Sequence, residues 1–179
     1  ANDTTFELAN VIENKVQIAI DAVGVNGASV AKPEYTVTEK VLSFNVSVAG
    51  EYTVKVTPKA GECWIDGTRT EKKFTFKLKH HVAPLELDVI NPENIVYNGQ
   101  DQYLPLRYYE EDLMQVKINN IDEPVINDGK SCIKVKEAKT YAVKVELKDK
   151  NLMEWTDNDG TESRSNINVT IKKKILKLT

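Results

Sequence analysis

The chain has 179 residues, 41% of them hydrophobic and 28% charged, with a net charge of −3. That composition supports one large core or two small ones and is too apolar for a disordered chain. The slightly acidic balance speaks against a nucleic-acid binder, and no apolar run reaches the roughly 18 residues of a membrane span.

Taken in chain order, the first ten-residue stretch with a strand signal is VIENKVQIAI, Val11–Ile20, with Asn14 expected to end one short strand. Asn26-Gly27 reads as a turn. Tyr52, Val54 and Val56 alternate with polar residues, as do Phe74, Phe76 and Leu78 after a turn at Asp66-Gly67. Period two with one apolar face means strands half buried on a core. Pro84, which cannot donate to a ladder and holds Ala83 extended, marks a boundary after Lys79. A joint this short predicts two domains strung end to end. Beyond it come Ile95–Leu106 with a turn at Asn98-Gly99, and YYEEDLMQVKI, Tyr108–Ile118, the stretch that comes nearest to a helical period without carrying a clean one. Further turns are expected at Asp128-Gly129 and Asp159-Gly160. The alternating runs of Tyr141, Val143 and Val145 and of Ile167, Val169 and Ile171 complete the series.

The second half restates the first. Ala49, Tyr52, Val54, Lys55, Val56 and Lys59 fall on Ala138, Tyr141, Val143, Lys144, Val145 and Lys148. After two inserted residues Trp64 meets Trp155 and Asp66 meets Asp157. After two more, Phe74, Phe76 and Leu78 meet Ile167, Val169 and Ile171. Insertions in polar stretches and matches at alternating apolar positions are the mark of a duplicated domain. Upstream, Val11–Ile20 is laid against Ile95–Leu106, with Asn14 on Asn98. The period of about 90 residues is that of a β-sandwich and not of a solenoid repeat. The expectation is an all-β chain of two tandem Ig-like antiparallel sandwiches, residues 1–81 and 82–179.

Residues able to carry chemistry read more plainly as structure. Tyr52, Tyr141, Trp64 and Trp155 are of the type that binds sugars, but on alternating strands and at corners they are expected to be buried core. Asp157 to Glu162 is rich in oxygen ligands. With Gly160 at the sixth position of a calcium loop, however, Trp155 takes the first and Asn166 the twelfth, so the spacing fails. His80 and His81 are adjacent, so a strand sends them to opposite faces. Lys172, Lys173 and Lys174 end a strand and read as solvated. Cys63 and Cys132 stand at non-equivalent places and are expected to be free, half-buried thiols. No metal, no cofactor and no catalytic residue is expected. The stretch best suited to a ligand is Leu106–Met114, with Arg107, Tyr108 and Tyr109 as contacts, in a region that looks absent from the first copy.

The order Tyr97-Asn98-Gly99 with Gln102, then Ala138-x-x-Tyr141-x-Val143-x-Val145, a lysine, a tryptophan, Asp-Gly-Thr and a strand ending Ile-Lys-Lys resembles the repeated Ig-like modules of bacterial surface and secreted proteins (the MBG-like and bacterial Ig-like group). The first copy departs from it, with Glu13-Asn14-Lys15 where Tyr-Asn-Gly is wanted. The resemblance implies a non-catalytic spacer in a longer extracellular or cell-surface chain, with neighbouring Ig-like domains as partners. The alternative is a module that binds glycan or a protein partner, on a virion or beside a secreted enzyme. A start at Ala1-Asn2-Asp3 without Met and the tail Lys172–Thr179 fit a piece of something longer.

Overall fold

A computed structural model describes residues 4–89, 95–120, 123–157 and 161–174. Strand makes up 54% of the described residues and helix 4%, and the sheets are antiparallel. The chain divides into two compact units: one of residues 1–80 with Asn151–Met153, the other of residues 81–150 and 154–179.

In the first unit, β1 (Thr4–Ala9), β4 (Val41–Val46) and β3 (Tyr35–Thr38) form one sheet in the order β1-β4-β3. β2 (Val16–Gly24), β5 (Gly50–Pro58) and β6 (Lys72–Leu78) form another, in the order β2-β5-β6. The alternation read from sequence is what closes this core. Leu42, Phe44 and Val46 of β4 meet Ile20, Tyr52, Val54 and Val56 of the other sheet in one buried cluster, and Phe6, Phe74 and Phe76 pack against it. β7 (His80–Val82) pairs with β14 (Met153–Trp155).

In the second unit, β8 (Glu86–Leu87), β9 (Gln102–Arg107), β12 (Lys130–Val135) and β11 (Val125–Asn127) form a sheet in the order β11-β12-β9-β8. β10 (Met114–Ile118), β13 (Thr140–Leu147) and β15 (Ser163–Thr170) form the other, in the order β10-β13-β15. With the short β14 left aside, a four-stranded sheet of first, second, fourth and fifth strands and one of third, sixth and seventh is the constant-type Ig order. Among the described residues the first unit has the same order, with β1 as the outermost strand of its sheet.

The register proves the repeat. Tyr52 lies opposite Phe76 and Val54 opposite Phe74 on β5 and β6. Tyr141 lies opposite Val169 and Val143 opposite Ile167 on β13 and β15. The upstream alignment, by contrast, is corrected. Phe6 pairs with Phe44 and Leu104 with Ile133, so β1 is the counterpart of β9. Ile20 faces Val54 as Ile118 faces Val143, so β2 is the counterpart of β10. Asn14 lies between β1 and β2 and Asn98 lies before β9, so the two are not equivalent. Asparagine at a turn is common to many loops and carried no register of its own.

The turns expected at Asn26-Gly27 and Asp128-Gly129 are present, with positive φ at all four residues. Asp159-Gly160 and most of the acidic run after Asp157 lie outside the described residues.

Candidate functional site

Each unit is pinned at the same corner. The Tyr52 hydroxyl donates to the Val48 carbonyl, four residues back, at 2.6 Å. The Tyr141 hydroxyl accepts from the amides of Lys136 (3.1 Å) and Glu137 (2.8 Å) and donates to the Glu137 carbonyl at 3.3 Å. Both rings are buried at the start of the strand that carries them. A tyrosine so placed, bonding back to the connection from the preceding strand, is the tyrosine corner of Ig sandwiches. The repeated tyrosines therefore hold the fold. Burial pushes the Tyr52 phenol up from its ordinary value, so it stays a neutral donor.

The tryptophans differ. Trp155 ends β14 and is 2% exposed, and its indole nitrogen finds no partner among the described residues. Trp64 sits in a turn and is half-buried, and its indole N–H donates to the Thr70 carbonyl at 2.7 Å. The expectation that both rings are largely buried core holds for Trp155 alone. A cation covers each ring at the start of the following long strand: Lys72 Nζ lies 4.6 Å from the Trp64 centroid, and the Arg164 guanidinium 5.4 Å from that of Trp155.

Arg107, Tyr108 and Tyr109 run from the end of β9 into the connection to β10. Arg107 donates to Asp88 at 2.7 Å, which raises its pKa further. Tyr108 is 51% exposed with φ 63°. Tyr109 is half-buried, and its phenol is pushed up first by burial and then by the charges of Glu111 and Glu123.

This loop is not absent from the first unit. The Leu113 amide donates to the Glu110 carbonyl at 3.1 Å, and the Lys15 amide to the Ile12 carbonyl at 2.9 Å. The amides of Lys148 and Lys59 donate to the carbonyls of Leu113 and Lys15, both at 2.9 Å. Asn10 has φ 64°, matching Tyr108. Residues 108–113 and 10–15 are one loop built twice. The stretch nearest to a helical period in the second copy forms a turn at residues 111–113, and its counterpart Glu13–Lys15 is a single 3-10 turn. Sequence comparison missed it because only its acidic middle, Glu13-Asn14 against Glu111-Asp112, is chemically alike.

The remaining candidates have structural occupations. Asn98 Oδ1 accepts from the Gln100 amide at 2.9 Å and Gln102 Nε2 donates to the Val96 carbonyl at 3.3 Å, so the Tyr-Asn-Gly-x-x-Gln motif braces its own turn. His81 Nε2 lies 3.5 Å from Glu154 Oε1. Asp157 is bonded by Arg164. No group of three metal-ligating side chains occurs among the described residues. Both thiols are free, but Cys132 on β12 is buried while Cys63, in the connection between β5 and β6, is exposed, so neither is half-buried. An open depression of about 610 Å³ in the second unit is lined by Tyr97, Asn98, Glu137, Lys173 and Lys174 among others.

No family model matches the chain. No curated protein matches it either. Among solved structures, a chimeric titin Z1Z2-Z1Z2 tandem carrying a GRGDS peptide from fibronectin is 10% identical, with a TM-score of 0.33 over 97% of this chain and 92% of that one. The fibronectin(III)-like modules of Clostridium thermocellum CbhA are 12% identical, with a TM-score of 0.32 over 96% and 86%. Scores this low carry no argument about function, and the Ig-like assignment rests on the chain's own sheet order.

Proposed function

We propose that the chain is a non-catalytic spacer, two Ig-like modules of a longer extracellular or surface protein akin to the bacterial Ig-like repeats. The observation that carries this reading is the duplicated framework itself. The sheets, the tyrosine corner and the loop between the second and third strands recur together, and the residues most suggestive of binding help to hold them. Long antiparallel ladders such as the nine-residue pairing of β2 with β5 suit a segment that transmits tension. Pulling on the chain should give two rupture events, each releasing roughly 300 Å at about 3.3–3.6 Å per residue. A single event, or extension without a force peak, would overturn the reading.

The second reading, a module for glycan or a protein partner, has Tyr108 as its specific support, with half its surface in solvent. Its left-handed backbone adds nothing, because Asn10 shares it without an aromatic ring. Glycan-array binding that vanishes in Tyr108→Ala would favour this reading over the spacer.

A further inference from the structure

A cleft in the first unit is closed off in the second. Gln17 and Ala19 of β2 and Lys55 and Thr57 of β5 share the sheet face turned away from the core, Gln17 opposite Thr57 and Ala19 opposite Lys55. They form the floor of an open cleft of about 560 Å³. Tyr35, the first residue of β3, lines it from the other sheet and is 37% exposed. The same positions in the second unit are filled. Ile20 matches Ile118, so Ala19 matches Lys117, which lies opposite Lys144 as Ala19 lies opposite Lys55. Lys117 is bonded to Glu123. Thr57 matches Glu146, which accepts from Lys144 at 2.5 Å. Tyr35 lies opposite Phe44, and by the same register its place falls to Pro124, just before β11. A hollow of about 220 Å³ remains there. The framework does not need Ala19, Thr57 or Tyr35, since the second unit has the same sheets without them. Nor does the cleft depend on the chain that enters the module. In the second unit that segment runs along β9, at the opposite margin of the sheet from β11.

Among the described residues the side chains of Gln17, Tyr35 and Thr57 make no hydrogen bond and the Glu13 carboxylate makes no ion pair, Lys59 donating instead to the Glu13 carbonyl at 3.1 Å. An amide, two hydroxyls and a carboxylate supply both donors and acceptors, and the Tyr35 ring supplies an apolar face. The charges of the lining balance, Glu13 and Glu71 against Lys55 and Lys59. Lys55 is bonded to Asp21, which Lys32 neutralises in turn at 2.8 Å. A lining without net charge gives no advantage to a phosphate, a sulfate or a uronic acid. We infer that this cleft binds a neutral pyranose unit of a glycan, its C–H face stacked on Tyr35 and its hydroxyls bonded to Gln17, Thr57 and Glu13. The volume lies within the roughly 300–1,000 Å³ of small-ligand sites. The site goes beyond the spacer reading and makes no use of Tyr108.

The test titrates the full chain with neutral oligosaccharides of glucose, galactose, mannose and N-acetylglucosamine, with heparin and inorganic phosphate as charged controls. Expected is saturable movement of the Gln17, Ala19 and Tyr35 amide resonances with at least one neutral probe at millimolar concentration or below. Tyr35→Ala should weaken that binding about tenfold. Ala19→Lys and Thr57→Glu, which copy the second unit, should each abolish it and leave the urea midpoint of the first unit unchanged. Tyr108→Ala should bind as the parent does. No saturation by any neutral probe overturns the inference, as does a response to heparin or phosphate alone. Binding that survives Tyr35→Ala and is lost in Tyr108→Ala overturns it too, by moving the site to the loop before β10. None of these outcomes alters the two rupture events that test the spacer reading.

Discussion

A hydroxyl separates the corner tyrosines from phenylalanine. In Tyr141→Phe two backbone amides and a carbonyl lose a buried partner, and in Tyr52→Phe one carbonyl does. Costs of about 2 and about 1 kcal/mol are expected. Each unit contains one tryptophan, so urea unfolding followed by fluorescence reads them separately; unchanged midpoints would remove the corners from the stability of the fold. Trp155→Ala should cost about 3–5 kcal/mol, as buried large aromatics do. Trp64→Ala should cost less, about 1–2 kcal/mol, because part of its ring is already in water. Circular dichroism melts of the two variants test that order, and equal losses would contradict it. Asp21 gives a signature in acid. Hydrogen bonds from Lys32 and Lys55 lower its pKa from 3.8 to about 2. The folded value lies below the unfolded one, so the stabilisation is present above about pH 4 and is lost as pH falls through 2. Asp21→Asn should flatten the fall in stability of the first unit between those limits; an unaltered slope would mean the pairing is too exposed to count.

Turns show how strongly strand pairing overrides local preference. The hairpin joining β11 and β12 uses Asp128-Gly129, the pair that two consecutive positive φ values ask for. The hairpin joining β3 and β4 has the same geometry with Glu39 and Lys40, at φ 51° and 65°. Neither is a turn residue, and nothing in the sequence announced this hairpin. It exists because Val37 and Leu42 are held in register by the sheet. The strain should be recoverable: Glu39→Asn with Lys40→Gly is expected to raise the stability of the first unit by about 1–2 kcal/mol. A lower midpoint in denaturant would show that these two side chains do more than close a turn. The loops 10–15 and 108–113 make the same point, since one backbone path is followed by two sequences with little in common.

At the scale of the molecule, the first unit draws on residues far along the chain. Asn151 Nδ2 donates to Glu51 at 3.3 Å, Lys77 bonds Asn151, and the His80 amide donates to the Leu152 carbonyl at 2.8 Å. A fragment of residues 1–80 lacks all three bonds. It should fold and be about 1 kcal/mol less stable than the first unit within the full chain. Identical unfolding curves for fragment and full chain would show that Asn151–Met153 adds nothing.

The sequence by itself determined the all-β class, the duplication and the buried faces of the long strands β5, β6, β13 and β15. Alternation at period two decides which face of a strand is buried, and a slip of one residue would expose Tyr52, Val54 and Val56 together. It also placed Tyr52 on Tyr141 correctly, without revealing that each bonds back four residues. Only the tertiary structure decided the equivalence of β1 with β9, the unequal depths of Trp64 and Trp155, and the shared loop before β2 and β10. These depend on which strand lies beside which across 30 or more residues, as in the pairing of Phe6 with Phe44. Spacing along a chain records periodicity, whereas partners across a sheet are chosen by the fit of whole faces.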